Sequence, residues 1–259
     1  MDLGIAGRWG IVCASTSGLG RACAEALAAE GVHIVVNGRN EERLEKVAAE
    51  IRAVAVADVV AVAADLTTED GRDALVAACP EPDILVTNNR GPKPGSLSEV
   101  GAQDFEEALD LHYRAPIALV AAVLPGMKAR RWGRIVNITS AMVTTPREMM
   151  VTSAGARAGL TAVMKALSFE AVAHGVTINN LLPERFATQR QIDNANRSVE
   201  REGVTFDQAW DAQATTIAAK RHGEPGEFGN TCAFVCSVHA AFMSGMNIHL
   251  DGGSYPGLV

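Results

Sequence analysis

The sequence predicts a doubly wound α/β fold: one domain over residues 1–259, with a parallel sheet of about seven strands and helices on both faces. Three observations carry that reading. Short β-branched runs alternate with longer alanine-rich stretches along the whole chain. The runs are apolar almost without a break, the pattern of strands covered on both sides rather than of half-exposed ones. The 259 residues, 48% of them hydrophobic and 20% charged, fill one large core but not comfortably two.

In chain order, residues 8–14 (RWGIVCA) read as the first strand, followed by a turn of small residues and the helix ACAEALAAEG. Residues 33–37 (HIVVN), 59–64 (VVAVAA), 83–88 (DILVTN), 133–139 (GRIVNIT), 176–183 (VTINNLLP) and 246–253 (MNIHLDGG) read as the remaining six. Right-handed crossovers between parallel strands place helices on both faces and ligands at the strands' carboxyl ends. The polar stretch 188–222 has two readings, a helical lid over that end or a solvated insertion.

The net charge of -7, with acids and bases interspersed, offers no concentrated positive field, so nucleic acid is not an expected partner. Five cysteines without CxxC spacing (Cys13, Cys23, Cys79, Cys232, Cys236) read as reduced core thiols. The start MDLGIAGRWGIV lacks a basic region followed by a long apolar one, and APIALVAAVLPGM is too short to span a bilayer. A cytoplasmic protein with no membrane partner and no metal is expected.

The turn Cys13-Ala14-Ser15-Thr16-Ser17-Gly18-Leu19-Gly20 lies between a strand and a helix, where small residues let free helix amides face a pyrophosphate. Gly18 and Gly20 supply the close backbone approach. The run resembles the TGxxxGxG turn of the short-chain dehydrogenase/reductase family, with Ala14 at the first glycine and Cys13 at the threonine. The resemblance spans residues 7–255 and implies a Rossmann-like domain in which Ala14, Ser15, Ser17, Gly18, Leu19 and Gly20 hold a nicotinamide dinucleotide. Alanine fits that turn if its φ stays negative. The second strand ends in Asn37-Gly38-Arg39-Asn40, without the acid that would bind a ribose 2′-hydroxyl. Arg39 offers a planar fork to a 2′-phosphate, so NADP(H) is preferred and NAD(H) is the weaker choice; a solvated loop arginine is the plain reading. By resemblance, Asp65 accepts from the adenine amine, with Leu66 beside it. Asn88-Asn89-Arg90-Gly91 is similar to the family's NNAG, with Arg90 replacing alanine at the nicotinamide-ribose rim. There it meets an anionic substrate or the cofactor phosphates, or is a surface arginine.

The family's chemistry uses a serine, then a tyrosine thirteen residues on and a lysine four beyond that, one helical turn apart, so that the ammonium lowers the phenol's pKa. Here the strand ends at Ser140, and the same count reaches Ser153 and Arg157. The only tyrosines are Tyr113 and Tyr255, and no shift of register brings either to that place. Serine and a permanently charged arginine are not ready general acids or bases. Arg157 can still hold the ribose and stabilise an alkoxide. The family's relay asparagine corresponds to His112, which reads either as a proton shuttle or as a packed core histidine. Tyr113 points away from it around the helix and reads as core. In Leu182-Pro183-Glu184-Arg185-Phe186-Ala187-Thr188, Pro183 and Thr188 match the cofactor-holding positions, and Glu184 replaces a glycine. Glu184 reads as an ion-pair partner of Arg185 or Arg157, or else as an alternative acid.

Three functions follow. The first is an NADP(H)-dependent oxidoreductase of a small carbonyl or secondary alcohol, most similar in pattern to 3-oxoacyl carrier-protein reductases, with a relay of Ser140 and His112 or water oriented by Arg157. The second is a catalytically degenerate subunit, paired with an active family member; the all-round apolar helix APIALVAAVL fits burial in an oligomer. The third is a non-redox lyase or dehalogenase. By resemblance the assembly is a homodimer or tetramer, with substrate choice in loop 92–98 and residues 188–222.

Overall fold

Each apolar run becomes a strand of one parallel sheet in the computed structural model, which describes residues 1–258. The strands are β1 (Trp9–Val12), β2 (His33–Gly38), β3 (Val59–Ala63), β4 (Ile84–Thr87), β5 (Gly133–Ile138), β6 (Val176–Pro183) and β7 (Asn247–Leu250), in the order β3-β2-β1-β4-β5-β6-β7. From β1 the chain winds outward through β2 and β3, then returns to add β4 on the other side of β1. That reversal leaves a crevice at the carboxyl ends of β1 and β4, with no crossover helix to fill it.

Alternate strand residues feed two cores. Val12, Ile34, Val36, Val86 and Val136 face one side, with α1 (Gly18–Ala29), α2 (Glu41–Arg52) and α9 (Pro225–Cys236). Ile11, Val35, Leu85, Ile135 and Ile178 face the other, with α3 (Glu69–Ala77), α5 (Ala115–Arg130) and α6 (Val151–Ala171). Tyr113 packs against the second core, with its ring where a Cβ on Gly159 would stand 3.2 Å away. All five cysteines are buried and free. Among the described residues, no helix is long and apolar enough to cross a membrane, and no cluster of potential ligands is disposed to hold a metal ion.

Register is pinned by a polar ladder inside this apolar sheet. Thr87 Oγ1 donates to Asn137 Oδ1 (2.7 Å), Asn137 Nδ2 to Asn180 Oδ1 (3.0 Å), and Asn180 Nδ2 to Asn247 Oδ1 (2.8 Å). These four residues are register partners across β4, β5, β6 and β7, so a slip by one residue breaks every rung.

Between α4 (Ala102–Leu109) and α5 the helix widens into one π-helical turn, Asp110–Arg114, which carries His112. After β6, α7 (Gln189–Glu202) and α8 (Phe206–Thr215) occupy the polar stretch, joined through Gly203 at φ 69°. α7 buries only Ala195, and its first two turns border the crevice.

The ladder makes a stability prediction. Asn137→Ala leaves the Thr87 hydroxyl and the Asn180 Oδ1 without a partner, at about 1–3 kcal/mol for each group stranded. The urea midpoint should fall with an unchanged slope; an unchanged midpoint would show that the ladder does not hold the sheet.

Candidate functional site

The crevice opens into a cleft of about 1130 Å³ along the carboxyl ends of the strands. On its β1 side, a dense polar brace forms the turn into α1. Ser15 Oγ donates to Val12 O (2.8 Å) and accepts from Asn37 N (2.9 Å), Ala14 N donates to Asn37 Oδ1 (3.1 Å), and Asn88 Nδ2 donates to Ala14 O (3.3 Å). This brace corrects two expectations. Ala14 does not keep a negative φ: it sits at +45°, a conformation that costs an L-residue about 1–2 kcal/mol, held because both its amide and its carbonyl are bonded. Ser15 is fully buried and braces the turn from behind instead of lining the cleft.

Ser17, Gly18 and Leu19 do line it, with Gly18 at φ +56°. The Ser17 side chain makes no cap bond, which leaves the first amides of α1 open to the cleft. A Cβ on the buried Gly20 would stand 2.4 Å from Ala14 O, so only glycine lets the helix approach this closely. Arg39 lines the cleft where β2 ends, joined by Asn40 and Arg43. The Asp65 carboxylate accepts from Thr67 N (2.9 Å) and Oγ1 (2.7 Å) and lies 3.7 Å from Arg39, with Leu66 forming the adjacent wall. Burial pushes Asp65 upward, but the Thr67 bonds and Arg39 bring it net below the usual carboxylate range. Asn89, also on the wall, has a buried Nδ2 without a partner. Open helix amides, a glycine cradle and an unpaired donor fit a dinucleotide that brings phosphates and polar edges.

At the other end, Ser140 and Ser153 line the cleft, and Arg157 forms its floor, only 8% exposed. Arg157 Nη1 donates to the last carbonyls of the β5 segment, Ile138 O (2.7 Å) and Thr139 O (2.9 Å), and Nε donates to Ser153 Oγ (3.2 Å). His112, expected either in the cleft or in the core, stands directly behind this pair. Its Nδ1 is 3.4 Å from Ser153 Oγ, and its Nε2 is 3.0 Å from both Arg157 Nη2 and Arg90 O. Burial and the positive charges of Arg157, Arg190 and Arg90 hold the imidazole well below its usual pKa, although Arg90 O, which accepts only from a protonated Nε2, opposes them. His112 is therefore neutral. Arg157 has no carboxylate partner; burial and the neighbouring Arg190 pull it down to about 9, so it stays charged at neutral pH. Ser140 Oγ accepts from Met142 N (3.2 Å) and shapes the wall above.

At the rim, Pro183 and Thr188 line the cleft as expected, with Thr188 packed against Gly18. Glu184 pairs with Arg147 (2.8 Å) and lies 3.7 Å from Arg185, not against Arg157, because the loop after β5 delivers Arg147 over it. Arg90 is taken by Glu107, with Gly91 beside it on the cleft wall. Sequence reasoning missed Arg43, Arg147, Arg190 and Arg197. Arg190 and Arg197 lie on α7 at a spacing of two helical turns, the one signal that places both on a single face. Neither tyrosine lines the cleft; Tyr255 stacks on His249.

Comparison with known proteins adds an independent finding. The family described as short chain dehydrogenase matches residues 8–198. Among curated proteins, the chain is 26% identical to the 3-oxoacyl-(acyl-carrier-protein) reductase FabG of Rickettsia bellii, over 96% of this chain and 97% of that one. It is 27% identical to the NADPH-dependent reductase BacG of Bacillus subtilis, over 95% and 97%. Among solved structures, L-sorbose reductase from Gluconobacter frateurii, complexed with NADPH and L-sorbose, superposes with a TM-score of 0.95 at 28% identity, covering 100% of both chains.

His112 makes a pH prediction. A group whose pKa is depressed on folding contributes stability that is present above its ordinary value of 6.5 and is lost as pH falls toward the depressed one. Thermal stability of the wild type should drop between about pH 7 and pH 5, and His112→Gln should flatten that slope. Parallel slopes would contradict a neutral buried imidazole.

Proposed function

The chain belongs to the short-chain dehydrogenase family, and from that premise we propose that it is an NADP(H)-dependent oxidoreductase of a carbonyl or secondary alcohol, in which Ser153, His112 and Arg157 serve as the proton relay. The observation that carries this reading is the bonded triangle of those three side chains on the floor of the cleft.

Ser17, Gly18 and Leu19 present the α1 amides to the cofactor's pyrophosphate, and Asn88 and Thr188 hold its nicotinamide end. Arg39 and Arg43 favour a 2′-phosphate, since two guanidiniums stand where β2 ends and Asp65, 3.7 Å from Arg39, is engaged by Thr67. NAD(H), which lacks that phosphate, binds more weakly. Bound NADPH supplies a hydride to the carbonyl carbon.

The protein's task is to supply one proton to the carbonyl oxygen and to stabilise negative charge there. Ser153 takes the place of the family's tyrosine and Arg157 that of its lysine. With His112 protonated on Nδ1, Nδ1–H donates to Ser153 Oγ while Nε2 accepts from Arg157 Nη2, and the serine hydroxyl is free to donate into the cleft. Arg157, 3.2 Å from Ser153 Oγ, lowers the cost of losing the serine proton and places positive charge beside the developing alkoxide. Ser153 Oγ takes its proton back from solvent entering the cleft, while His112 stays neutral and holds the serine oxygen through Nδ1–H. Ser140 orients the substrate oxygen from the opposite wall.

A purely structural subunit would leave this charge and polar chemistry without use, and a lyase or dehalogenase would not need the open α1 amides. Ala121, Ala122 and Pro125 on the outward side of α5 are exposed and apolar, which supports assembly with further subunits, as dimer or tetramer.

Titration with NADPH and NADH tests the cofactor assignment. Saturable binding is expected, at least about tenfold tighter for NADPH, with the preference lost in Arg39→Ala/Arg43→Ala, where one phosphate contact is worth on the order of 1.4 kcal/mol or more. Ser153→Ala should lower kcat by about 10²–10⁴-fold without weakening NADPH binding. No binding of either nucleotide would overturn the assignment.

A further inference from the structure

Charge in the cleft is distributed unlike charge in the chain. The whole protein carries a net -7, yet nine arginine or lysine residues line this one cleft against three acids, Glu148, Glu184 and Asp193. At the rim the balance is local: Arg90 is paired with Glu107, Arg147 with Glu184, and Lys93 lies 3.9 Å from Asp104. Around the proposed reaction centre it is not.

Arg157 has five N–H donors, of which the two on Nη1, the one on Nε and one on Nη2 are used within the protein. One Nη2–H remains, and the cleft is the open side. Arg190 has no hydrogen bond or ion pair among the described residues. Its guanidinium lies flat against Gly91, where an added Cβ would stand 2.1 Å from Nη1. Gly91 follows Arg90, whose carbonyl contacts His112, which contacts Arg157, so the two guanidiniums are separated by one short stretch of loop and one imidazole. Arg197, one face along α7, bonds only Asn194. Asp193, the acid that might have served them, accepts from Gln189 instead (2.9 Å). Like charges gathered at one end of a walled cleft without a carboxylate paired to them destabilise the folded state, and an anion entering there relieves that cost. The opposite wall, Met142, Met149 and Met150, is apolar and offers room for a carbon body.

We propose that the substrate is an oxo acid or hydroxy acid whose carboxylate lies close to the reacting carbon and is held by Arg190 and the spare N–H of Arg157. This assignment rests on the oxidoreductase reading for the carbonyl, but the anion site stands on the two unpaired guanidiniums. It passes substrate recognition from Arg90, which Glu107 occupies, to Arg190, which nothing occupies. The same guanidiniums would also suit a cofactor phosphate, and the test separates the two.

Short 2-oxo and 3-oxo carboxylic acids and their neutral methyl esters would be compared as substrates with NADPH, and as ligands by calorimetry with the protein alone and with NADP+. The wild type should prefer acid over ester by at least tenfold in kcat/KM. Arg190→Met should erase that preference mainly through KM, Arg190→Lys should restore part of it, and NADPH affinity should change less than threefold in both. If Arg190→Met instead weakens NADPH tenfold and leaves the acid-to-ester ratio unchanged, Arg190 serves the cofactor and the proposal is overturned. If no carbonyl is reduced but the acids bind and the esters do not, with binding lost in Arg190→Met, the anion site holds and the oxidoreductase reading fails. Equal or absent binding of acid and ester overturns the anion site.

Discussion

A guanidinium with four of its donors committed to the protein and no carboxylate to neutralise it organises the chemical end of this molecule. Arg157 is fixed by the carbonyls of Ile138 and Thr139, which β5 leaves unpaired as it emerges from the sheet. Those carbonyls are where they are because β5 is held in register on both sides by the Asn137 ladder. The charge is therefore positioned by the sheet itself, and Ser153 and His112 take their places around it. His112 adapts by staying neutral, since a second positive charge at 3.0 Å in a buried pocket is not tolerated.

The cofactor end rests on a different device with the same logic. The Ser15 hydroxyl and the Asn37 amide tie the carboxyl ends of β1 and β2 together, and Asn37 Nδ2 reaches on to Val62 O (3.1 Å) in β3 and Ala64 O (3.2 Å) just past it. With the turn so fixed, Ala14 adopts a left-handed conformation that its side chain disfavours, and the first turn of α1 is aimed into the cleft. The two ends meet through Asn88, which follows β4 and bonds Ala14 O, since β4 is the neighbour of β5, whose end carries the carbonyls that fix Arg157.

Much of the fold was legible because buried parallel strands leave continuous apolar runs: all seven runs became strands, adjusted only at their ends, as HIVVN lengthened to His33–Gly38 and MNIHLDGG trimmed to Asn247–Leu250. The glycine turn, Arg39, Ser140, Ser153 and Arg157 were legible through spacing after a strand. What failed to show depends on contacts distant in sequence. Ala14 was expected at negative φ from its intrinsic preference, which the Asn37 and Asn88 bonds override. His112 lies 41 residues from Ser153, and only its π-helical turn brings it behind Arg157. Glu184 keeps the expected pairing with Arg185 at 3.7 Å, but its shorter contact, to Arg147, comes from the loop after β5 and was not visible in the sequence. Arg190 carried only its helix-face spacing to Arg197, since its meaning comes from α7 folding back over Gly91, whose lack of a side chain makes the contact possible.

If the charge of Arg157 is the pivot of the proposed chemistry, its removal should be felt in the hydride-transfer step itself. The direct measurement is a single turnover of bound NADPH with a short oxo acid, comparing wild type with an Arg157→Gln variant, confirmed to fold, that removes the charge and leaves a shorter, neutral amide. The account predicts a hydride-transfer rate lower by at least about a hundredfold, the scale of losing one electrostatic stabiliser of an alkoxide. Transfer at close to the wild-type rate would contradict it.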